Sequence, residues 1–162
     1  MPGYLVSVYL HQLAALIWVG GMLFLTLVLV PVALGLEPQR RGALLAAVGR
    51  RFRWVGWACI LVLVVTGLLL LDRRGVTPVG IFRGDFISEP RGVVLLSKLV
   101  LFAAMVLLSA LHDFVLGPQL ARALQTSPQR APGLRRRTSW LARANLALGL
   151  AVLVLAMLLV RG

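Results

Sequence analysis

The sequence predicts an all-α integral membrane protein: a four-helix transmembrane bundle with both termini outside. Three observations carry that prediction. Of the 162 residues, 60% are hydrophobic, and the mean hydropathy is +0.94; soluble domains break their apolar runs every few residues. The apolar residues gather into four long runs, and about 20 apolar residues suffice to cross a hydrocarbon core of ~30 Å. The arginines crowd between these runs rather than within them. The whole chain, 1–162, reads as a single membrane domain.

The first span is expected at about 4–30, stopping at Pro31, whose ring offers no N–H to carry a helix onward. It lacks a basic leader and is too long for a signal-peptide core, so it reads as a retained helix. Residues 38–53 place Leu44, Leu45, Val48 and Phe52 at helical spacing against arginines, the pattern of an interfacial helix leading into span two at about 54–71. Residues 72–90 hold Gly75, Pro78, Gly80 and Gly84 with the apolar pairs Ile81–Phe82 and Phe86–Ile87, and read as a compact outer cap. Span three is expected at about 92–117. Pro118, Pro128, Pro132 and Gly133 then predict a short helical extension followed by coil, before span four at about 140–160. Trp54, Trp57 and Trp140 fall at span starts, where indole rings favour the interface. No internal repeat is evident in the residues.

The net charge is +12. In a soluble protein that would suggest nucleic acid, but no basic groove with interleaved aromatics is present, and no nucleic-acid partner is expected. The arginines read instead as cytoplasmic flanks in contact with anionic lipid. Arg40, Arg41, Arg50, Arg51 and Arg53 follow span one; Arg122, Arg130, Arg135, Arg136, Arg137 and Arg143 follow span three; together they are eleven of the seventeen basic residues. That bias puts both basic segments in the cytoplasm of a multi-pass plasma-membrane (inner-membrane) protein. Cys59 is the one cysteine, so no intrachain disulfide forms.

The chemistry lies in polar residues inside the spans. Lys98, Met105 and His112 are spaced by seven with Ser109 among them, nearly two turns per step and so one face of a helix. A charge in lipid costs about 2.5 kcal/mol or more, so such groups pair, line a cavity or perform a task. At ~1.5 Å per residue, His11 lies about 10 Å into span one and Lys98 about 9 Å into span three. They share an outer layer, which span two reaches near Thr66, with Arg73, Arg74 and Arg91 just above. His112 lies about 21 Å below Lys98, in an inner layer with Asp113, Arg51, Arg53, Arg143 and Asn145, so the two histidines make a poor pair for one metal.

On span one, His11, Ala14, Ala15, Trp18 and Met22 form one continuous face whose small residues leave room for a neighbouring helix or a flat cofactor. Gly20 and Gly21 permit close approach of backbones. The candidate metal ligands are His11, Lys98, Met22, Met105 and His112; the candidate cofactor-binding residues are His11, Lys98, Trp18, Arg73 and Arg91. A neutral imidazole ligates metals, a lysine made neutral by low dielectric can ligate iron, and outer arginines can hold acidic groups such as propionates. Each also has a plainer role: a packed histidine, a snorkelling lysine, space-filling methionines, and His112 with Asp113 tying down loop backbone. No phosphate-binding glycine loop, Ser/His/Asp set or zinc spacing is present.

The run His11-Gln-Leu-Ala-Ala-Leu-Ile-Trp18-Val-Gly20-Gly21-Met-Leu-Phe24, ending at Pro31, resembles the first span of CopD-like membrane proteins. So do Arg51-Phe52 before span two, Thr66-Gly67 near its end, Lys98 early in span three, and Leu111-His112-Asp113-Phe114-Val115-Leu116-Gly117-Pro118. The resemblance covers about Leu10 to Pro118, and span four adds little to it. It implies a plasma-membrane helical protein associated with copper uptake or resistance. The same pattern is similar to HemJ, a membrane protoporphyrinogen oxidase family associated with haem b, in which a first-span histidine and a third-span lysine, here His11 and Lys98, are the functional pair. The chain departs from HemJ in its arginine-rich first loop and outer cap.

Three functions stay open at this level. Copper handling draws on His11, Met22, Cys59, Met105 and His112, soft or imidazole donors spread over two layers. Haem b binding with electron transfer or porphyrinogen oxidation draws on His11 and Lys98. A non-catalytic accessory subunit would use the polar stripe against a partner helix. The expected partners are the lipid bilayer and a membrane or redox partner protein, in a chain that could also form an oligomer.

Overall fold

The computed structural model describes residues 2–73, 75–76, 80 and 88–161, and these are helical almost throughout, with no strand among them. Four helical stretches are long and apolar enough to cross a membrane: Gly3–Leu34, Pro38–Arg73, Pro90–Thr126 and Ala131–Leu159. Helices are what hydrocarbon permits, because each backbone N–H and C=O finds its partner within the same segment. The chain divides into two compact units, Met1–Gly80 and Ile81–Gly162.

The first unit is a pair of antiparallel helices. Its opening stretch comprises α1 (Pro2–Phe24), a π-helical turn at Leu25–Leu29 and α2 (Val30–Leu34). Pro31 does not end it, contrary to the sequence expectation. A proline in a helix lacks a donor and its ring strikes the carbonyl four residues back, here that of Leu27. The π turn absorbs the conflict: Val30 N–H bonds the carbonyl of Leu25, five residues back, and the proline then opens a new α-helical turn. The returning helix, α3, runs unbroken from Pro38 to Arg73. At ~1.5 Å per residue it is about 54 Å long, nearly twice a hydrocarbon core. The expected interfacial helix and span two are therefore one rod, with Arg40 to Arg53 on its first turns. A glycine ends it: Gly75 has φ +70°, its N–H bonds Asp72, and Val76 N–H bonds Leu71. This is a Schellman closure, in which the left-handed residue costs glycine nothing.

The second unit repeats the plan. Its first stretch is α4 (Pro90–Ala110), a π turn at Leu111–Leu116 and α5 (Gly117–Thr126), with Gly117 N–H on the carbonyl of His112 just ahead of Pro118. The expected coil is only Ser127 and a 3-10 turn, Pro128–Arg130. The last helix, α6 (Ala131–Arg161), begins well before Trp140 and takes Pro132 into its first turn, where a missing N–H is harmless. The outer cap expected at 72–90 falls mostly outside the described residues.

The two units match in register, a repeat that the residue identities hide. Pro31 and Pro118 are 87 positions apart, as are Trp18 and Met105, the buried large side chains of α1 and α4. On the returning helices the buried residues Cys59, Ile60 and Leu63 recur 86 positions later as Asn145, Leu146 and Gly149, and Trp54 recurs as Trp140. What repeats is the helix defect and part of the burial pattern, on side chains that share little chemistry; Gly56 and Thr66, also buried on α3, correspond to exposed Ala142 and half-buried Val152.

In the first unit α1 and α3 close against each other through glycine. Trp18 is 4% exposed, and a Cβ at Gly56 would stand 3.4 Å from its Nε1. A Cβ at Gly21 would overlap the Phe52 ring, while one at Gly20 meets open space. Gly21→Ala should therefore lower stability in detergent by about 1 kcal/mol or more through overpacking, whereas Gly20→Ala should be neutral or stabilising by up to about 1 kcal/mol through helix propensity. Thermal unfolding of the two variants checks this; equal effects would contradict the packing.

Candidate polar site in the membrane helices

In the first unit the antiparallel pairing brings His11 of α1 beside Thr66 of α3. His11 Nδ1 lies 2.8 Å from Thr66 Oγ1. The threonine is 5% exposed, and its hydroxyl donates to the carbonyl of Val62 at 2.6 Å. That bond decides the histidine's proton. A hydroxyl has one hydrogen, and with it directed at Val62 the oxygen can only accept. His11 Nδ1 therefore carries the proton and donates to Thr66, which leaves Nε2 as the nitrogen with the lone pair. Fixing one ring nitrogen in this way sets the tautomer and orientation of metal-ligating histidines. Gly67 keeps the surroundings small: a Cβ there would stand 3.5 Å from His11 Cε1.

Further along α1, Ala14 and Trp18 are buried in the helix pair, and Met22 is half-buried. Trp18 packs against Gly56 within the helix interface. Met22 is eleven residues from His11, about 16 Å along the axis, too far to share one ion. Arg73 is exposed at the end of α3.

In the second unit Lys98 is half-buried on α4, Arg91 is exposed in its first turn, and Met105 is 1% exposed. The stripe continues through Ser109, which accepts a hydrogen bond from Asn145 Nδ2 of α6 at 2.9 Å. His112 lies in the π turn, with Nδ1 2.9 Å from Asp113 Oδ1. A carboxylate of an aspartate at neutral pH only accepts, so this imidazole too is a Nδ1–H donor. Lys98, Met105 and His112 follow one another at about 10 Å intervals along the axis, so no two of them can bind the same ion. Among the described residues no group of three His, Cys, Asp or Glu side chains could hold a metal ion.

The His11–Thr66 level was legible from depth alone. The Ser109–Asn145 bond was not: the two polar residues were readable, but depth placed Asn145 beside His112, one turn away. Gly56 beneath Trp18 and Phe52 over Gly21 also went unread; glycines one face apart from aromatics on another span carry no pairing signal.

Four helices long and apolar enough to cross a membrane point to a multi-pass membrane protein. The family model for CopD, copper resistance protein D, matches residues 46–159, and the chain belongs to that family. The match includes span four and leaves out span one, the reverse of the weighting that the residue resemblance suggested. A protein of Aquifex aeolicus (strain VF5), described as uncharacterized, is 33% identical over 147 residues, covering 91% of this chain and 88% of the relative. No solved structure matches the chain.

Thr66→Val keeps the shape of the side chain and removes the acceptor for His11. Any metal held through His11 should bind about 10–100-fold more weakly in this variant, the range for lost partners of metal-bound histidines, while Thr66→Ser should retain wild-type affinity. Titration of the three purified proteins with the bound metal decides it.

Proposed function

We propose that this protein handles copper in the plasma membrane, with the ion as cargo rather than as a resident cofactor. The observation that carries the reading is the His11 imidazole held by Thr66 inside a membrane helix pair with its proton on Nδ1, the tautomer that keeps the ring's lone pair on Nε2. Membership of the copper resistance family supports it. Copper(I) accepts imidazole and thioether ligands, and His11, Met22, Met105 and His112 supply both. Their wide spacing along the helices suits successive weak holding points rather than one tight centre. The arginine bias directs the basic ends to the cytoplasm, which puts His11 on the outer side, where an incoming ion would arrive first.

One observation favours a second reading, haem b. His11 and Lys98 each stand twenty residues before the proline of their unit, at the same register of the repeated plan. In that reading His11 in the first unit and Lys98 in the second are the candidate nitrogen ligands, and Arg73 and Arg91 the candidate partners of acidic groups on the cofactor. Such a haem would supply one-electron redox chemistry; the chain's part would be ligation, burial and exclusion of water.

Purification in detergent followed by metal analysis and an absorption spectrum separates these readings. Copper handling predicts copper(I) binding that competes with a copper(I) chelator, weakens about tenfold or more in His11→Ala, and shows no Soret band. A Soret band lost in His11→Ala would replace it with the haem reading. Neither copper nor haem bound would leave an accessory subunit and overturn both.

A further inference from the structure

We infer that the basic end of the second unit is a binding site for the phosphodiester headgroup of an anionic phospholipid. The observation is a charge imbalance confined to one place. From residue 114 to residue 162 the chain has seven arginines and no acidic residue. Three of them, Arg122 on α5, Arg130 in the 3-10 turn and Arg137 on α6, line one open cavity of about 620 Å³. Gln119, Thr126 and Gln129 supply further polar groups to its wall. Among the described residues no carboxylate lines the cavity, so an anion bound there would meet three guanidinium groups and no competing charge. Phosphate oxygens match guanidinium groups in charge and in planar two-point geometry.

The fold makes the cluster. Ser127 N–H closes on Ala123 and Arg130 N–H on Ser127, so the chain reverses within a few residues. That tight reversal carries Arg130 and Arg137 back beside Arg122. A coil of the expected length would have let three like charges spread apart. At the first unit's basic end, by contrast, Glu37 lies 3.8 Å from Arg40 and supplies a local countercharge.

Lipid rather than a soluble anion follows from the surroundings. Trp140 is 60% exposed, and the Arg143 guanidinium lies 5.7 Å from its ring centroid, an amphipathic pair of the kind found at headgroup level. Phe114, Val115 and Leu124, on the π turn and α5, are exposed apolar side chains that acyl chains would cover.

The test uses the full-length protein, delipidated in neutral detergent, with native mass spectrometry reading added phosphatidylglycerol or cardiolipin against phosphatidylcholine. Wild type should prefer the anionic lipids by at least about tenfold, with the preference falling as salt rises. R122Q/R130Q/R137Q should lose that preference, whereas the charge-matched R40Q/R41Q/R50Q should keep it. The single variant Arg130→Gln should weaken binding about fivefold, and Arg130→Lys should restore part of it; both guard against misfolding of the triple. Equal losses in the two triples would mean bulk charge and overturn the site. Displacement of bound lipid by millimolar inorganic phosphate would overturn the lipid assignment in favour of a soluble anion.

Discussion

Hydrocarbon offers no hydrogen bond to a backbone, and the two helical stretches with a proline beyond their first turn, at Pro31 and Pro118, are shaped by that constraint. A proline near the end of a membrane helix removes one donor and collides with the carbonyl behind it. Ending the helix there would strip partners from several backbone groups at once. Winding one turn more widely keeps the chain helical and moves the defect into a local π turn. Both units make this choice at the same register, before Pro31 and before Pro118. In the second unit the π turn also carries His112 and Asp113, so the backbone defect and the paired side chains occupy one place. Irregular windings of this kind recur at functional sites.

The same economy governs the side chains. Thr66 satisfies its own hydroxyl on the carbonyl of Val62 and in doing so becomes a pure acceptor for His11. A residue with a single hydrogen thereby sets the protonation pattern of the ring opposite. Asp113 does the same for His112 by charge. In the second unit Asn145 Nδ2 donates to Ser109 Oγ across the helix pair. What the two helix pairs hold is a series of separately anchored donors. A polydentate cage would need several donors within a few ångströms of one point, and helices deliver that through short sequence steps or several spans meeting at one level. Steps of seven residues place donors on one face but about 10 Å apart, which orders them along the membrane normal.

Much was legible from the residues alone. Four runs of apolar residues determined the class and the number of membrane-length helices, since burial in lipid demands apolar length whatever the packing. The depth of His11 and the arrival of span two near Thr66 followed from the rise of a helix, a quantity independent of tertiary contacts. The boundaries failed for a different reason. Proline and glycine signals report what an isolated chain prefers in water, where a broken helix can be solvated. At Pro31 and Pro132 those signals were overruled by the need to keep backbone groups paired or by position in a first helical turn, whereas beyond Pro118 the expected helical extension is present as Gly117–Thr126.

What the sequence by itself determined is therefore the all-α membrane class, the positions of the ionisable groups along their own helices, and the clustering of arginine between the apolar runs. Only the tertiary structure decided which tautomer His11 holds, that Asn145 meets Ser109, that Arg122, Arg130 and Arg137 share a cavity, and that the two units follow one plan. The physical reason is that helical rise depends on position along one chain segment, whereas a hydrogen bond or a shared cavity depends on the rotation and approach of two segments. Those are set by small side chains such as Gly21 and Gly56, which carry no chemistry that marks their partners.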